Sequence, residues 1–371
     1  LLNTGYWLLF CIMFPALRIL SREVLGLNRR NQDLLARYNP RALFQVVDHK
    51  LKTKAALCAL GVPVVETLRV YSLQRDIADF ATHARNWEEF VVKPAQGAGG
   101  EGVMVVTGRR GATFLTLDGR ALRTRDLEGH LSDILGGVFS LNQRYDEAIV
   151  ERRVRAHPIL ARLSFQGLPD VRVIVFRGVP LMAMLRVATR ASRGRANLHV
   201  GGIGVGIDLT TGVTTHAVTG RRWLTIHPDT AVPLCGVSLP YWQEVLTVAA
   251  RCADAVPLGY VGIDIALDAE VGPCVLELNA RPGLSIQLAN RRGLRPLVEA
   301  VERRALSDLS VRERIQLGQE IVETADDPEG RFCKNLQQSK VNSWLQGYRE
   351  EKLLKKSRIL FLSFWHTCCS M

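Results

Sequence analysis

Apolar residues recur along this chain with two different periods, and the change between them divides it. From residue 22 to 47 the apolar positions have helical spacing, and DHKLKTKAALCALGVPVVE continues that spacing to a stop at Gly61 and Pro63. A strand is expected from Val64 and a helix over 74–89. The short apolar run EEFVVKP then leads directly into the glycine-rich QGAGGEG and a second strand, VMVV. Residues 124–140 return to helical spacing. Beyond them AIVERRV, DVRVIVF, LMAMLRV, GIGVGIDL, VGIDIAL and CVLELNA are β-rich runs too short for helices, with helices expected at 238–256 and 293–306. This order predicts an α+β protein of two lobes meeting near residue 150, with no repeat of 20–50 residues. The expected divisions are an N-terminal helical segment (1–47), a small lobe with the glycine loop (48–150), a second lobe (151–307) and an irregular, partly disordered tail (308–371).

Composition narrows the class. The 371 residues are 47% apolar, enough for more than one core, and the formal charge is +12. Ten arginines lie between residues 150 and 195 against only Glu151 and Asp170, so this stretch either meets an anion or faces water. The eight cysteines are scattered with no C-x-x-C pair, which fits a reducing, cytoplasmic setting. Residues 7–17 are apolar but shorter than a spanning helix requires and are broken by Pro15, which leaves room for peripheral membrane contact only. The chain opens on Leu1, so its start is not taken as the native one.

Candidate chemistry changes the picture further. If Asp268 and Pro273 face each other across the turn between VGIDIAL and CVLELNA, antiparallel register puts Asp264 opposite Glu277, with Asn279 on the same face. Opposed carboxylates are unfavourable without a cation, and two carboxylates with an amide carbonyl are ligands suited to magnesium. A solvated hairpin face would carry the same residues without that consequence. By the same reasoning, a turn centred on residue 179 puts Arg172 opposite Arg186, an arrangement suited to an anion held between two guanidinium groups. Lys93 ends the strand before Gly97, Gly99, Gly100 and Gly102, whose backbone can approach phosphates closely, although a plain hairpin turn has the same composition. No G-x-x-x-x-G-K-[ST], H-R-D or D-F-G is present, which excludes P-loop and protein-kinase chemistry.

Taken in order, DHK (48–50), VVKPAQGAGGEG (91–102), AIVERRV (148–154), DVRVIVF (170–176), RANLHVGG (195–202), GYVGIDIAL (259–267) and LELNARPG (276–283) resemble the ATP-grasp ligases of the RimK type, and within them the alpha-L-glutamate ligase-like proteins. The resemblance implies an ATP-grasp fold in which two α+β lobes clasp ATP. It implies that Lys50, Lys93 and the loop with Gly97, Gly99, Gly100 and Gly102 bind phosphates. Glu151, Arg152 and Val154 would then form the adenine hinge, Arg172, Arg186, Asn197 and His199 would act at the phosphoryl centre, and Asp264, Glu277 and Asn279 would hold one or two Mg2+, with Mn2+ able to substitute. It further implies an ADP-forming acid-amino-acid ligase acting on an amino acid, peptide or protein acceptor, with glutamate one such amino acid and a homo-oligomer one assembly. Members of the superfamily usually carry a substrate domain before the first lysine, whereas fewer than fifty residues precede Lys50 here, in helical pattern. The remaining arginines 190, 193 and 195 fit substrate capture or a solvated loop equally well.

Two rivals predict different behaviour. A regulatory ATP-binding module attached to a membrane system would bind nucleotide without turning it over. A nucleic-acid binder would need basic and aromatic residues interleaved, or a groove helix, and the sequence has neither, so no nucleic-acid partner is expected.

Overall fold

Even and odd positions of the central strands carry different chemistry, and that alternation organises the molecule. In the computed structural model, residues 23–97, 99–140 and 143–325 are described. The expectations for residues 7–17 and for the tail beyond 325 lie outside them. The strands β1 (Thr67–Tyr71), β2 (Phe90–Pro94), β3 (Met104–Arg110), β4 (Thr113–Thr116), β5 (Ala121–Leu122) and β6 (Ala148–Arg152) form a six-stranded antiparallel sheet in the order β1-β6-β2-β3-β4-β5. A helix, Thr124–Leu135, covers it, and Tyr71, Phe80, Phe90, Phe114, Leu127 and Leu131 close the core between them.

The second sheet has seven antiparallel strands in the order β11-β10-β9-β8-β7-β12-β13. These are β7 (Asp170–Phe176), β8 (Val179–Val187), β9 (Ile203–Ile207), β10 (Thr214–Thr219), β11 (Arg222–Leu224), β12 (Tyr260–Asp268) and β13 (Gly272–Asn279). Every residue of β7 and β12 is buried. The odd positions Val261, Ile263, Ile265 and Leu267 join the main core with helix Trp242–Ala255, while the even positions include Tyr260, Asp264 and Asp268. Polar groups are therefore concentrated on one face of buried strands.

The helical layer at the N-terminal end packs on this larger sheet. Two helices, α1 (Arg41–Val47) and α2 (Lys50–Ala59), contribute Val47 and Leu57 to the larger core. The division expected at residue 48 thus falls within one helical layer. Before α1, the chain is helical over Leu27–Arg29 and Ala36–Tyr38, with a π-helical segment, Arg30–Leu35, between. Asn39 fixes this layer to β12, donating from Nδ2 to the Tyr260 carbonyl (2.7 Å) and accepting the Tyr260 N–H (2.8 Å).

Part of the stretch expected to be irregular is helical. Residues Val311–Ala325 form a helix that buries Ile315, Ile321 and Val322, because these apolar positions return at helical intervals. Gly318 is required where that helix crosses the Pro180 carbonyl: a Cβ there would lie 2.1 Å from the oxygen. No helix among the described residues is long and apolar enough to cross a membrane.

Candidate active site

A cleft of about 1240 Å³ opens between the sheets, bordered by the glycine loop, the end of β6, the polar face of β7 and β12, and the N-terminal helix. Lys50 stands at the start of α2, donating its backbone N–H to the Ala95 carbonyl (2.9 Å) and its Nζ to the Gly97 carbonyl (2.6 Å). Burial lowers its pKa, and the nearby Glu277 carboxylate acts in the opposite sense. Within the loop, Gly99, Gly100 and Gly102 have φ of +66°, +78° and +70°. A Cβ on Gly102 would also strike Phe139 at 2.6 Å, while one on Gly99 would meet nothing within 4 Å. Gly97 is needed for space instead, since a Cβ there would lie 2.3 Å from Cγ of Pro94. The loop is anchored at both ends: Asp146 accepts the Gln96 N–H (3.0 Å), and the His130 ring lies 2.9 Å from the Gly102 carbonyl.

Glu151 also serves as a counterion. It is buried beside β2, opposite Val91, and its carboxylate is shared by two lysines: Lys93 at 2.6 Å and Lys54 on the other oxygen. Its charge is shared between these cations as their common counterion, and it lines the cleft together with Arg152 and Val154. Lys54 also donates to the Val65 carbonyl (2.6 Å) and to Thr67 Oγ1 (2.8 Å). Sequence reasoning missed Lys54. The available signal was its place four residues after Lys50, on the same face of α2.

On the larger sheet, Asp264 stands opposite Glu277 as expected, and Gly262 opposite Asn279. The route to that register differs from the assumed one. The turn pairs Leu267 with Pro273 and Asp268 with Gly272, and a bulge between Asp264 and Ile265 restores the offset. The arginine register needs a larger correction. Arg186 faces Asp170 and Arg172 faces Met184, because β7 and β8 are joined through the two residues Arg177 (φ +50°) and Gly178 (φ +79°) and a bulge follows. The arginines therefore meet diagonally on one face, not directly across the ladder.

What they surround is Asp264. Arg172 donates to it through Nε and Nη2, both at 2.6 Å, and Arg186 donates Nη2 to Asp264 and Nε to Asp170, again at 2.6 Å each. Burial favours the protonated acid at Asp264, but Arg172 and then Arg186 outweigh it and hold its pKa down to about 2. Burial pushes Asp170 the other way, up to about 6, against the pull of Arg186. Repulsion between carboxylates, taken from sequence as a demand for a metal, is met here by guanidinium charge.

The donor set still fits a dication. A carboxylate offers about four lone-pair directions, and the arginines take three of those on Asp264, leaving one on Oδ1. Glu277 is close enough to hydrogen-bond Asp264, an approach that a shared proton or a hard cation would stabilise. Asn279 shares the strand face with Glu277, and its Oδ1 accepts the Arg281 N–H at 3.0 Å. Among the described residues no cluster of three His, Cys, Asp or Glu forms a metal site. Asn197 and His199 line the same cleft, with Asn197 Oδ1 capping the short helix Leu198–Val200 through the His199 N–H (3.0 Å).

Comparison with known proteins follows from this geometry. No curated protein matches the chain. Among solved structures, the ATP-grasp ligase PsnB complexed with minimal precursor is 19% identical, with 71% of this chain and 63% of that chain covered at a TM-score of 0.39. This chain thus spans less than two thirds of PsnB. The D-cycloserine synthetase DcsG is 16% identical over 76% of this chain and 73% of that one (TM-score 0.39), and the D-alanine–D-alanine ligase from Bacillus anthracis 15% over 77% and 71% (TM-score 0.36). The family model described as sugar-transfer associated ATP-grasp matches residues 29–303, a span that holds both sheets and every cleft residue named above. With its two antiparallel sheets, flanking helices and intervening cleft, the chain has the α+β ATP-grasp fold and belongs to the sugar-transfer associated ATP-grasp family.

Proposed function

We propose that this protein is a carboxylate–amine ligase that uses ATP to activate an acid as an acyl phosphate and passes the acyl group to an amine. The observation that carries the reading is the meeting, in one cleft, of Lys50 and Lys93 beside the glycine loop with Arg172, Arg186, Asp264, Glu277 and Asn279. The two lysines and the loop amides would hold the nucleotide phosphates, and Arg152 and Val154 would border the base. Asp264, Glu277 and Asn279 would hold Mg2+, which when bound neutralises phosphate charge.

The acid's carboxylate oxygen attacks the γ-phosphorus in line, forming an acyl–oxygen–phosphorus bond as the bond to ADP breaks. The amine then attacks the acyl carbon, inorganic phosphate leaves, and the amine gives up a proton. Arg172 and Arg186 each retain three N–H groups beyond those given to the carboxylates, enough to follow charge on the phosphoryl oxygens through both steps. Asn197 and His199 border that centre. The amine's identity as glutamate, and a narrower affiliation with the RimK-type ligases, rest on motif order alone.

The test is acceptor-dependent release of ADP. Purified chain incubated with ATP, Mg2+ and pooled amino acids, short peptides and amino sugars should release ADP and phosphate in equal amounts, with the rate reduced at least a hundredfold in Glu277→Gln. ATP binding without release under every pool would instead favour a regulatory module.

A further inference from the structure

Five lysine and arginine residues are buried among the described residues: Arg30, Lys54, Lys93, Arg172 and Arg314. Four have a carboxylate partner, in Glu151, Glu151, Asp264 and Asp254 respectively. Arg30 has none. It is only 9% exposed, and its bonds run to neutral acceptors: Nη1 to the Pro282 carbonyl (3.0 Å), and Nε and Nη2 to Asn31 Oδ1 (3.1 and 2.8 Å). Because a guanidinium remains charged even where burial opposes it, this is an uncompensated charge in the wall of the cleft. Two of its five N–H groups, one on each terminal nitrogen, are not used in those bonds, which suits a bidentate oxyanion.

The backbone around Arg30 is also unusual. It begins the π-helical segment Arg30–Leu35, a winding that is rare and recurs at functional sites. Its position relative to the reacting centre follows from Pro282, which packs against Gly262, since a Cβ on Gly262 would lie 2.7 Å from the proline ring. Gly262 and Asp264 are on the same strand face, about 7 Å apart along β12. The Tyr260 hydroxyl is buried without a hydrogen-bond partner, and both Arg30 and Arg172 contribute to the field at it. Leu27, Leu284 and Leu288 provide an apolar lining to the same cleft.

We propose that Arg30 binds a second acidic group of the carboxylate substrate, so that the acid activated here is a dianion held at one end by Arg172 and Arg186 and at the other by Arg30, with its hydrocarbon spacer against the leucines. The inference rests on the ligase reading and adds the substrate class: a dicarboxylic acid or an acid of equivalent charge. It also assigns a substrate-binding role to the N-terminal helix.

The experiment is calorimetric titration of the whole chain, loaded with ADP and Mg2+, with glutarate and with its monoamide, which differ by one negative charge. Wild type should bind glutarate at least tenfold more tightly than the monoamide. Arg30→Met should reduce glutarate to the monoamide's affinity while leaving ADP affinity unchanged. Leu27→Glu, which sets a rival carboxylate one helical turn before Arg30, should remove the same preference and serves if Arg30→Met does not fold. Equal affinity for the two probes in wild type, absence of glutarate binding with ADP bound, or a preference that survives both substitutions would overturn the proposal. Failure of wild type to bind ADP would count against the ligase reading instead.

Discussion

Arg172 and Asp264 form a two-point contact on neighbouring strands, with Nε and Nη2 each 2.6 Å from a carboxylate oxygen and both side chains buried. Geometry of this kind fixes both groups in the floor of the cleft, and removing either partner leaves the other charged in a poorly solvated place. Arg172→Met should therefore destabilise the fold by about 3–5 kcal/mol. Urea denaturation followed by circular dichroism measures this, and a loss below about 1 kcal/mol would show that water reaches Asp264 freely.

The same contact sets a pH dependence. With Asp264 held down to about 2, the unfolded chain binds more protons at this group than the folded one between pH 2 and the ordinary carboxylate range near 4. The stability it contributes is complete above that range and is lost as pH falls towards 2. The penalty of Asp264→Asn, measured by denaturant titration, should accordingly be constant from pH 7 to 8, above the Asp170 titration, and shrink below pH 4.

Lys54 should matter although it does not line the cleft. Lys54→Met leaves Glu151 with a single lysine and strips donors from Val65 and Thr67, at an expected loss of about 3 kcal/mol. Adding Glu151→Gln should recover part of the loss, because both substitutions act on one network. A double-mutant cycle with no coupling would refute the shared-counterion assignment.

Gly99 and Gly102 have similar φ but different surroundings. Gly99→Ala should cost only the backbone strain, about 1 kcal/mol, whereas Gly102→Ala adds the clash with Phe139 and should cost roughly twice as much or more. Thermal melts of the two variants side by side decide this, and equal losses would mean that Phe139 moves aside.

A dication should stabilise the nucleotide-bound fold. At a hundred times its dissociation constant, Mg2+ added with ADP should raise stability by about 2.7 kcal/mol over ADP alone. Chelation with EDTA should reverse the gain, and Glu277→Gln should abolish it. A gain that persists in the variant would locate the ion on the nucleotide alone.

Much of the fold was legible because strand length and apolar runs survive in the sequence: β2, β6, β7, β8, β12 and β13 all lie where the runs predict them. The short strands β4, β5, β10 and β11 were not seen, because half-buried strands of two to six residues at or next to the sheet edges carry mixed side chains with no clear period. The helix expected over 74–89 is helical but divided, into a 3-10 helix, Gln74–Asp79, one α-helical turn, Phe80–His83, and a second 3-10 turn, Ala84–Asn86.

Register was the limit on reading the site. Asp264 and Glu277 were matched correctly only because a bulge offset a one-residue error in the turn. Arg172 and Arg186 were mismatched because their turn is two residues long, with both in left-handed conformation. Charge pairing was equally hidden. Nothing in the spacing of Glu151, Lys54 and Lys93 announces that three distant segments share one ion cluster.

That cluster has a mechanical consequence. Lys54 belongs to the helical layer on the larger sheet, while Glu151 and Lys93 belong to the smaller one, so the carboxylate is a charged rivet through both halves. Sliding the halves past each other would strand a cation or an anion away from water, so the cluster opposes that motion.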